Sequence, residues 1–216
     1  MLLVVSTGLS AQTVTLNGQL LAEDTKGSLP EVAITATSLT KPLRSSETTT
    51  GPYGQFSVNV LPGVSYRLCS AATGSYAESC QFSKPVIVKA SSDMPTVPMT
   101  APAGIRMRVR IVDSDGLLSS PQGGFVAPDP LLLLVFAEET ITRTRIPLQL
   151  GPSSTPSAYE ASVVIPISMQ WNVAMSSVRA NLFDSGGNPY QSATPIPRPS
   201  NYGDGEFLAV FTLRAK

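Results

Sequence analysis

Residues 105–112 read Ile-Arg-Met-Arg-Val-Arg-Ile-Val, an unbroken alternation of apolar and cationic side chains. Successive side chains of a β-strand point to opposite faces of the sheet. The alternation therefore predicts a strand that turns its apolar side chains toward a core and Arg106, Arg108 and Arg110 away from it.

Short runs with the same two-residue period recur on both sides of this stretch. They are rich in Val, Ile, Thr, Phe and Tyr and are separated by Gly, Pro, Ser and Asn, which is typical of an all-β protein. No stretch has a helical pattern of more than about two turns, so we expect turns between the strands and antiparallel pairing. Besides residues 105–112, the predicted strands are 14–21, 32–38, 43–49, 55–60, 65–70, 81–89, 131–137, 141–150, 159–165, 171–175, 178–183 and 207–213.

The length of 216 residues suits one large domain or two small ones. Three prolines fall between residues 90 and 103, which predicts an edge strand near 96–99 followed by a short linker. The strands predicted after the linker are as many as a small β-sandwich needs. We therefore expect two consecutive antiparallel β-sandwich domains, residues 13–100 and 101–216.

The composition excludes several classes of function. The 15 basic and 15 acidic side chains balance, so the chain offers no charge excess for nucleic acid. It contains no histidine, which removes the usual general base of a serine or cysteine triad and the commonest zinc ligand. Neither a phosphate-binding glycine loop nor a Gly-x-Ser-x-Gly motif occurs. We expect no cofactor, no metal and no catalytic function of the chain's own.

Residues 1–12 are apolar and end in small residues. This pattern indicates the remnant of a signal peptide, and with it a secreted, periplasmic or cell-envelope protein; the alternative is a first strand that continues into residues 13–16. The apolar run 131–136 is too short for a membrane helix and predicts a core strand. The chain is not expected to span a membrane.

The two cysteines, Cys69 and Cys80, lie at the end of one predicted strand and the start of the next. The segment between them reads as a hairpin loop, which places the two sulfur atoms side by side. In an oxidising compartment this arrangement predicts a disulfide. The alternative is a pair of buried free thiols.

A series of motifs in the first half follows one order. It comprises Gly18, Asp24, Pro30, the strand 32–37, Thr48-Thr49-Thr50, Gly54 with Phe56, and Leu61-Pro62-Gly63 with Tyr66. In this order residues 13–100 resemble the carboxypeptidase regulatory-like domain, a transthyretin-like β-sandwich of exported bacterial proteins. Two departures from the pattern are Glu31, where a glycine usually follows the proline, and Gly63, which directly follows Pro62.

The resemblance implies a fold and no active site, because the peptidase chemistry of the family's namesake belongs to a separate zinc domain. The motif residues also have physical reasons of their own. Gly54 suits a turn with positive φ, Phe56 points into the core, and Pro62 with Gly63 reverses the chain before Tyr66 re-enters the core. By fold analogy the resemblance extends to carbohydrate-binding sandwich modules.

Arginines are the first candidate for ligand binding. Arg106, Arg108 and Arg110 share one strand face, and Arg143 and Arg145 share a face of another predicted strand. If the two strands are neighbours, the five guanidinium groups form a cationic patch that could hold the carboxylates or sulfates of a polysaccharide. The alternative is a solvated face neutralised by glutamates, for which Glu138, Glu139 and Glu160 are available.

Aromatic side chains are the second candidate. Tyr190 and Tyr202 lie in polar, turn-rich surroundings and could offer a platform for sugar rings, whereas Trp171 alternates with apolar residues and is expected in the core. The alternative for the tyrosines, Tyr159 included, is that each packs its ring and solvates its hydroxyl.

Carboxylates near sharp turns, in residues 113–116 and 203–206, fit turn chemistry better than a calcium loop. Our prediction is a non-catalytic extracytoplasmic binding or structural module whose partner is a polysaccharide or an envelope protein. The alternatives are a carbohydrate-binding module and a hydrolase that uses paired carboxylates of unknown position. The sequence does not specify an oligomeric state.

Overall fold

The computed structural model describes residues 12–216 except 121, 127, 130–131, 178, 191–193 and 196–205. Within these residues the chain is all-β, with one four-residue helix, and its strands form two consecutive β-sandwiches, each of two sheets. The predicted fold class is confirmed. No helix of the described part of the chain is long and apolar enough to cross a bilayer.

The chain divides into two compact units. Unit 1 comprises Met1–Thr73 and Ala77–Pro102, and unit 2 comprises Gly74–Tyr76 and Ala103–Lys216. The elements of unit 1 are β1 (Val14–Ala22), β2 (Ala33–Ser38), β3 (Ser45–Thr49), β4 (Gln55–Val60), β5 (Ser65–Ser70), α1 (Ser79–Phe82), β6 (Val86–Lys89) and β7 (Val97–Ala101). Those of unit 2 are β8 (Gly104–Asp113), β9 (Leu134–Glu139), β10 (Arg145–Pro147), β11 (Gly151–Pro152), β12 (Ala158–Pro166), β13 (Trp171–Ser176), β14 (Ala180–Phe183), β15 (Thr194–Pro195) and β16 (Glu206–Ala215).

Unit 1 stacks a sheet of order β4-β1-β7 on a sheet of order β3-β2-β5-β6. Alternate side chains of β1, β2, β4 and β5 are buried, as the two-residue period predicts. The largest fully buried side chains of this core are Leu16, Leu20, Ile34, Tyr66, Leu68 and Met99.

Two glycines of unit 1 stand where a side chain has no room. Gly54 has a φ of +72°, as predicted, and a Cβ there would lie 2.3 Å from the Leu20 carbonyl oxygen. A Cβ on Gly18 would lie 2.1 Å from Cζ of Phe56, whose ring is buried against that gap. Gly54 thus lets the turn before β4 approach the backbone of β1, and Gly18 leaves room for the Phe56 ring.

Three sequence predictions for unit 1 need correction. The strand predicted for 81–89 is α1 followed by the short β6, and the edge strand predicted for 96–99 is β7, which extends to Ala101. The pairing of β7 with β1 is parallel, with Gly18 opposite Val97. The chain between β6 and β7 passes from one sheet to the other, so β7 does not return beside its predecessor and the antiparallel rule fails there.

Unit 2 stacks a sheet of order β11-β12-β8-β16-β14 on a sheet of order β10-β9-β13-β15. The central strand β8 buries Met107, Val109 and Ile111 completely, which confirms the face predicted from residues 105–112. It pairs with β12 in antiparallel fashion and with β16 in parallel. The second pairing again departs from the predicted antiparallel order, because β16 reaches β8 after the chain has built the other sheet.

The strand predicted for 141–150 is mostly turn. Only Arg145–Pro147 forms β10, and the residues before it make a tight loop in which Arg143 adopts a φ of +58°. The strand predicted for 131–137 lies later, as β9, because the amides of Leu132 and Leu133 both donate to the carbonyl of Asp129 in a turn.

Candidate functional site

Cys69 and Cys80 form a disulfide with a Cα–Cα distance of 5.1 Å, which confirms the predicted pairing. The predicted hairpin loop is instead an irregular segment that ends in α1. The amide of Ser70 donates to the buried Ser79 hydroxyl at 2.8 Å and holds α1 against β5. The two sulfur atoms therefore meet across β5 and α1.

The arginines of β8 lie on the outer face of the five-stranded sheet, where glutamates of the neighbouring strands face them. Arg108 donates to Glu206 at 2.8 Å and to Glu160 at 3.0 Å, and Arg110 donates to the other oxygen of Glu160. Arg106 is exposed and forms no ion pair with any residue that the structure describes. Two arginines and two glutamates thus neutralise one another on this face.

These contacts stabilise the charged forms. Hydrogen bonds from Arg108 to Glu206 and to Glu160 raise the pKa of that guanidinium. The pKa of Glu160 is lowered, first by the hydroxyl of Ser153, which donates at 2.7 Å, and then by Arg110. A carboxylate with these partners is a poor proton donor near neutral pH.

Arg143 and Arg145 share a single counter-ion. Arg143 donates through Nη1 to one oxygen of Glu138 at 2.8 Å, and Arg145 donates through Nε to the other. The Glu138 side chain is only 4% exposed, whereas those of Arg143 and Arg145 are 68% and 58% exposed. The hydrogen bonds from Arg145 and Arg143 lower the pKa of Glu138. This group, Arg143–Glu138–Arg145, keeps one net positive charge at the surface.

The five arginines do not form one patch. The prediction required β8 to neighbour the strand that carries Arg143 and Arg145, but β8 and β10 belong to different sheets of unit 2. Arg143 also lies in the turn before β10 rather than on it. The structure therefore gives two separate groups of arginines. On β8, Arg108 and Arg110 are paired with Glu160 and Glu206, and Arg106 has no ion pair with a described residue. In the other group, Arg143 and Arg145 share Glu138.

Glu139 and Glu138 are consecutive but have different roles. The Glu139 carboxylate, 3% exposed as a residue, accepts hydrogen bonds from the amides of Ile141 and Thr142 and from the Thr142 hydroxyl. The Thr142 amide and then its hydroxyl lower the pKa of Glu139. Glu139 thus fixes the loop that carries Arg143 toward Glu138.

The aromatic candidates are mostly held inside the fold. Trp171 and Tyr159 are buried, at 3% and 7% exposure. The Tyr190 hydroxyl donates to the Val173 carbonyl at 2.8 Å and accepts from the Met175 amide, so this ring staples a loop to β13. Tyr202 lies outside the described residues. An aromatic platform built on Trp171, Tyr159 and Tyr190 is not what the structure shows.

The acidic turns serve the backbone. Asp113 is buried and accepts from the amides of Leu117 and Leu118, and Asp115 accepts from the Ala215 amide. Of residues 203–206 the structure describes only Glu206, which bonds Arg108. Among the described residues no group of three or more acidic or cysteine side chains is placed to hold a metal ion.

Two features of unit 2 escape sequence reasoning. One is the choice of partners: the sequence offered Glu138 as a counter-ion for the arginines, but it did not indicate that Arg143 and Arg145 share this one carboxylate. The other is a cavity between residues 123–125 and 152–159 that has an aromatic wall and a rim of hydroxyl groups. Residues 152–157 fall between two predicted strands, and their sequence gave no indication of an aromatic ring beside them.

No protein-family model and no curated protein matches the chain. Three solved structures are similar over most of its length. The Bacillus anthracis TIE protein is 9% identical with a TM-score of 0.34, over 94% of this chain and 34% of its own. A leucine-rich repeat protein from Bacteroides thetaiotaomicron is 12% identical with a TM-score of 0.35, over 93% of this chain and 26% of its own. The shaft pilin SpaA from Lactobacillus rhamnosus GG is 8% identical with a TM-score of 0.32, over 95% of this chain and 99% of its own.

The chain spans about a third of the first of these proteins and about a quarter of the second. Because every TM-score is below 0.5, none of these matches indicates a shared function.

Proposed function

We propose that the chain is a non-catalytic binding or structural module that works outside the cytoplasm, either secreted or at the cell envelope. The disulfide between Cys69 and Cys80 supports this location, because such bonds persist in oxidising compartments and are rare in the cytosol. The partner is a polysaccharide or an envelope protein with negative charge.

The observation that carries the proposal is the state of the carboxylates. Glu138, Glu139 and Glu160 are each occupied by arginine, hydroxyl or backbone donors, and the pKa of each is lowered. A hydrolase with paired carboxylates needs one of them protonated near neutral pH, with a raised pKa. Glu160 and Glu206 both contact Arg108, but the guanidinium between them favours the ionised form of Glu160. These carboxylates suit structural ion pairs rather than acid catalysis.

The binding surface is the group Arg143–Glu138–Arg145. Each guanidinium spends one nitrogen on Glu138, so each has further N–H donors for an incoming carboxylate or sulfate. The carboxylate orients both side chains, and Arg145 also lies over the Phe136 ring at 5.6 Å. The ion pairs with Glu138 and the contact of Arg145 with the Phe136 ring restrict the arginine side chains before binding, so these side chains lose less conformational entropy when a ligand binds.

For unit 1 we propose the carboxypeptidase regulatory-like domain. Its motif residues act together in the structure: the Tyr66 hydroxyl accepts the Leu61 amide at 3.0 Å and so joins the two parts of the Leu-Pro-Gly…Tyr motif. The Phe56 ring fills the space above Gly18, a residue of the same series of motifs. In this proposal unit 1 is scaffold, and ligand binding belongs to unit 2.

Affinity electrophoresis tests the binding surface, with polygalacturonate as a carboxylated polymer, dextran sulfate as a sulfated one and dextran as a neutral control. We expect retention by at least one acidic polymer and about tenfold weaker retention of R143Q/R145Q, equivalent to about 1.4 kcal/mol. The control R67Q/K89Q removes the same charge from exposed positions of unit 1 and should behave as wild type.

The outcomes separate the parts of the proposal. Equal weakening by both double variants would show an effect of overall charge and would overturn the Arg143–Glu138–Arg145 site. If neither acidic polymer retained the protein, the proposal of a polysaccharide partner would be overturned. Release of new reducing ends from any polymer during incubation would overturn the non-catalytic role.

A further inference from the structure

Unit 2 contains a shallow cavity of about 290 Å³ between residues 123–125 and the segment 152–159, which runs from β11 through a loop into β12. Cavities that bind small molecules begin at about 300 Å³, so its size suits a ligand of one or two rings. It lies apart from Arg143 and Arg145, neither of which lines it.

One wall is a pair of aromatic rings. The centroids of Phe125 and Tyr159 are 4.9 Å apart with planes tilted by 40°. Tyr159 is buried and its hydroxyl is 2.7 Å from that of Ser119, so it supports the half-buried Phe125 from behind. Phe125 therefore keeps part of its ring open to solvent on a rigid base.

The strand-like pairing around Phe125 fixes its position further. Ser119 and Phe125 form an isolated antiparallel bridge, and the Val126 amide donates to the Leu118 carbonyl at 2.7 Å. A ring held in this way loses little conformational entropy when a ligand stacks on it.

The rest of the lining includes a loop that is rich in hydroxyl groups, residues 153–157. The Ser153 hydroxyl is engaged, since it donates to Glu160 and accepts the Thr155 amide at 3.1 Å, and it thereby holds the loop in place. Ser154, Thr155 and Ser157 are among the residues that line the cavity, and their hydroxyls form no hydrogen bond with any described residue. They can act as donor or acceptor for a ligand.

Ser157 has a φ of +54°, a conformation that costs a non-glycine residue free energy. Its carbonyl accepts the amide of the buried Asp113 at 2.8 Å, which ties the lip of the cavity to the end of β8. The hydroxyl rim is thus part of the rigid sandwich rather than a free loop.

The charges decide the class of ligand. None of the described residues that line the cavity is charged, and Pro152 and Pro156 add apolar surface beside the rings. A neutral saccharide has both matching features, an apolar C–H face that packs on an aromatic ring and hydroxyls that bond to hydroxyls. We propose that this cavity binds one neutral sugar residue, stacked on Phe125 and hydrogen-bonded by Ser154, Thr155 and Ser157. The inference requires unit 2 to be a binding module but not its arginines to bind.

Calorimetric titration of the whole protein with neutral trisaccharides of glucose, xylose and N-acetylglucosamine tests the site. We expect at least one of them to bind in the millimolar range or tighter, and F125A to weaken binding at least about tenfold. F125L keeps apolar bulk without the flat ring, so it should also weaken binding. Y53A, which removes the 74% exposed Tyr53 of unit 1, should bind as wild type.

Three results would each overturn the site. The first is that the wild type binds none of the three sugars, and the second is that F125A binds as tightly as the wild type. The third is that F125L retains binding, which would indicate a pocket that is merely apolar. Trp171 fluorescence during urea unfolding verifies that F125A and F125L remain folded. R143Q/R145Q should keep its affinity for the neutral sugar, so that failure of the arginine surface and failure of this cavity are distinguishable.

Discussion

The Tyr190 hydroxyl donates a 2.8 Å hydrogen bond to the carbonyl of Val173, and through it one side chain joins the two sheets of unit 2. The Tyr190 amide donates to the Leu182 carbonyl on β14, and its hydroxyl also accepts the Met175 amide on β13. Its ring meets Phe211 of β16 edge-on at 5.7 Å. Tyr190 therefore closes one side of the sandwich, where β13 and β14 belong to different sheets.

We predict that Y190F lowers the free energy of unfolding of unit 2 by about 1–3 kcal/mol, because the Val173 carbonyl and the Met175 amide each lose a partner. Urea unfolding followed by the fluorescence of Trp171, the one tryptophan of the sequence, measures it. Y53F alters an exposed hydroxyl of unit 1 and should leave the transition unchanged. If the two variants unfold alike, Tyr190 does not act as a staple.

Stability should fall in acid. The pKa values of Glu138, Glu139 and Glu160 are lowered in the folded state, so each carboxylate stabilises the fold above its unfolded pKa, about 4.3. That stability is lost as the pH falls through the lower folded pKa values. Urea midpoints from Trp171 fluorescence should stay level between about pH 7 and pH 5 and fall steadily below about pH 4.5. A midpoint that is constant down to pH 3 would contradict the ion pairs.

Removal of the disulfide should destabilise unit 1 more than unit 2, because both cysteines belong to unit 1 and only Gly74–Tyr76 of the loop between them belong to unit 2. Residues 69 and 80 close a short loop, for which the chain-entropy model gives about 2–3 kcal/mol. In C69S/C80S we expect an earlier thermal transition in circular dichroism, while the midpoint of the Trp171 signal of unit 2 shifts by less. An equal shift of both signals would show that the two units unfold as one.

Two glycines with the same backbone conformation should respond differently to alanine. Gly63 has a φ of +76° and open space around a Cβ, so G63A should cost only about 1–2 kcal/mol for the left-handed backbone. G54A adds a contact of 2.3 Å with the Leu20 carbonyl and should unfold unit 1 at a clearly lower temperature than G63A. Equal melting temperatures of the two variants would show that β1 gives way at Leu20.

Much of the fold follows from the two-residue period. Residues 105–112 predicted which face of β8 is buried, and Met107, Val109 and Ile111 are on it. The period describes a strand alone and contains nothing about its neighbour, which is why the parallel pairs β1–β7 and β8–β16 were not predicted. The turn at 140–144 was missed for another reason. Its residues suit a strand, and the turn is held by hydrogen bonds that the pattern does not contain, among them those from Ile141 and Thr142 to the Glu139 carboxylate.

The site was predicted less well than the fold. Sequence spacing puts Arg143 and Arg145 on one face, and they do meet, but through Glu138 rather than through a shared strand. Phe125 was not recognised as a candidate because its fixed position depends on packing against Tyr159, a residue 34 positions away along the chain. Contacts of this kind depend on the tertiary packing of loops, on which local patterns give no information.

The parallel pairing of β8 with β16 sets the order in which unit 2 can assemble. Arg106 on the first strand of the unit lies opposite Glu206 on the last, so the central strand lacks one neighbour until the final segment has been synthesised. Pairings between such remote segments form slowly, because the entropy cost of closing a long loop comes before the stabilising contacts form. Until that segment is present, β8 is an edge strand whose unpaired backbone groups can pair with another chain, so unit 2 is prone to aggregation while its last strand is missing.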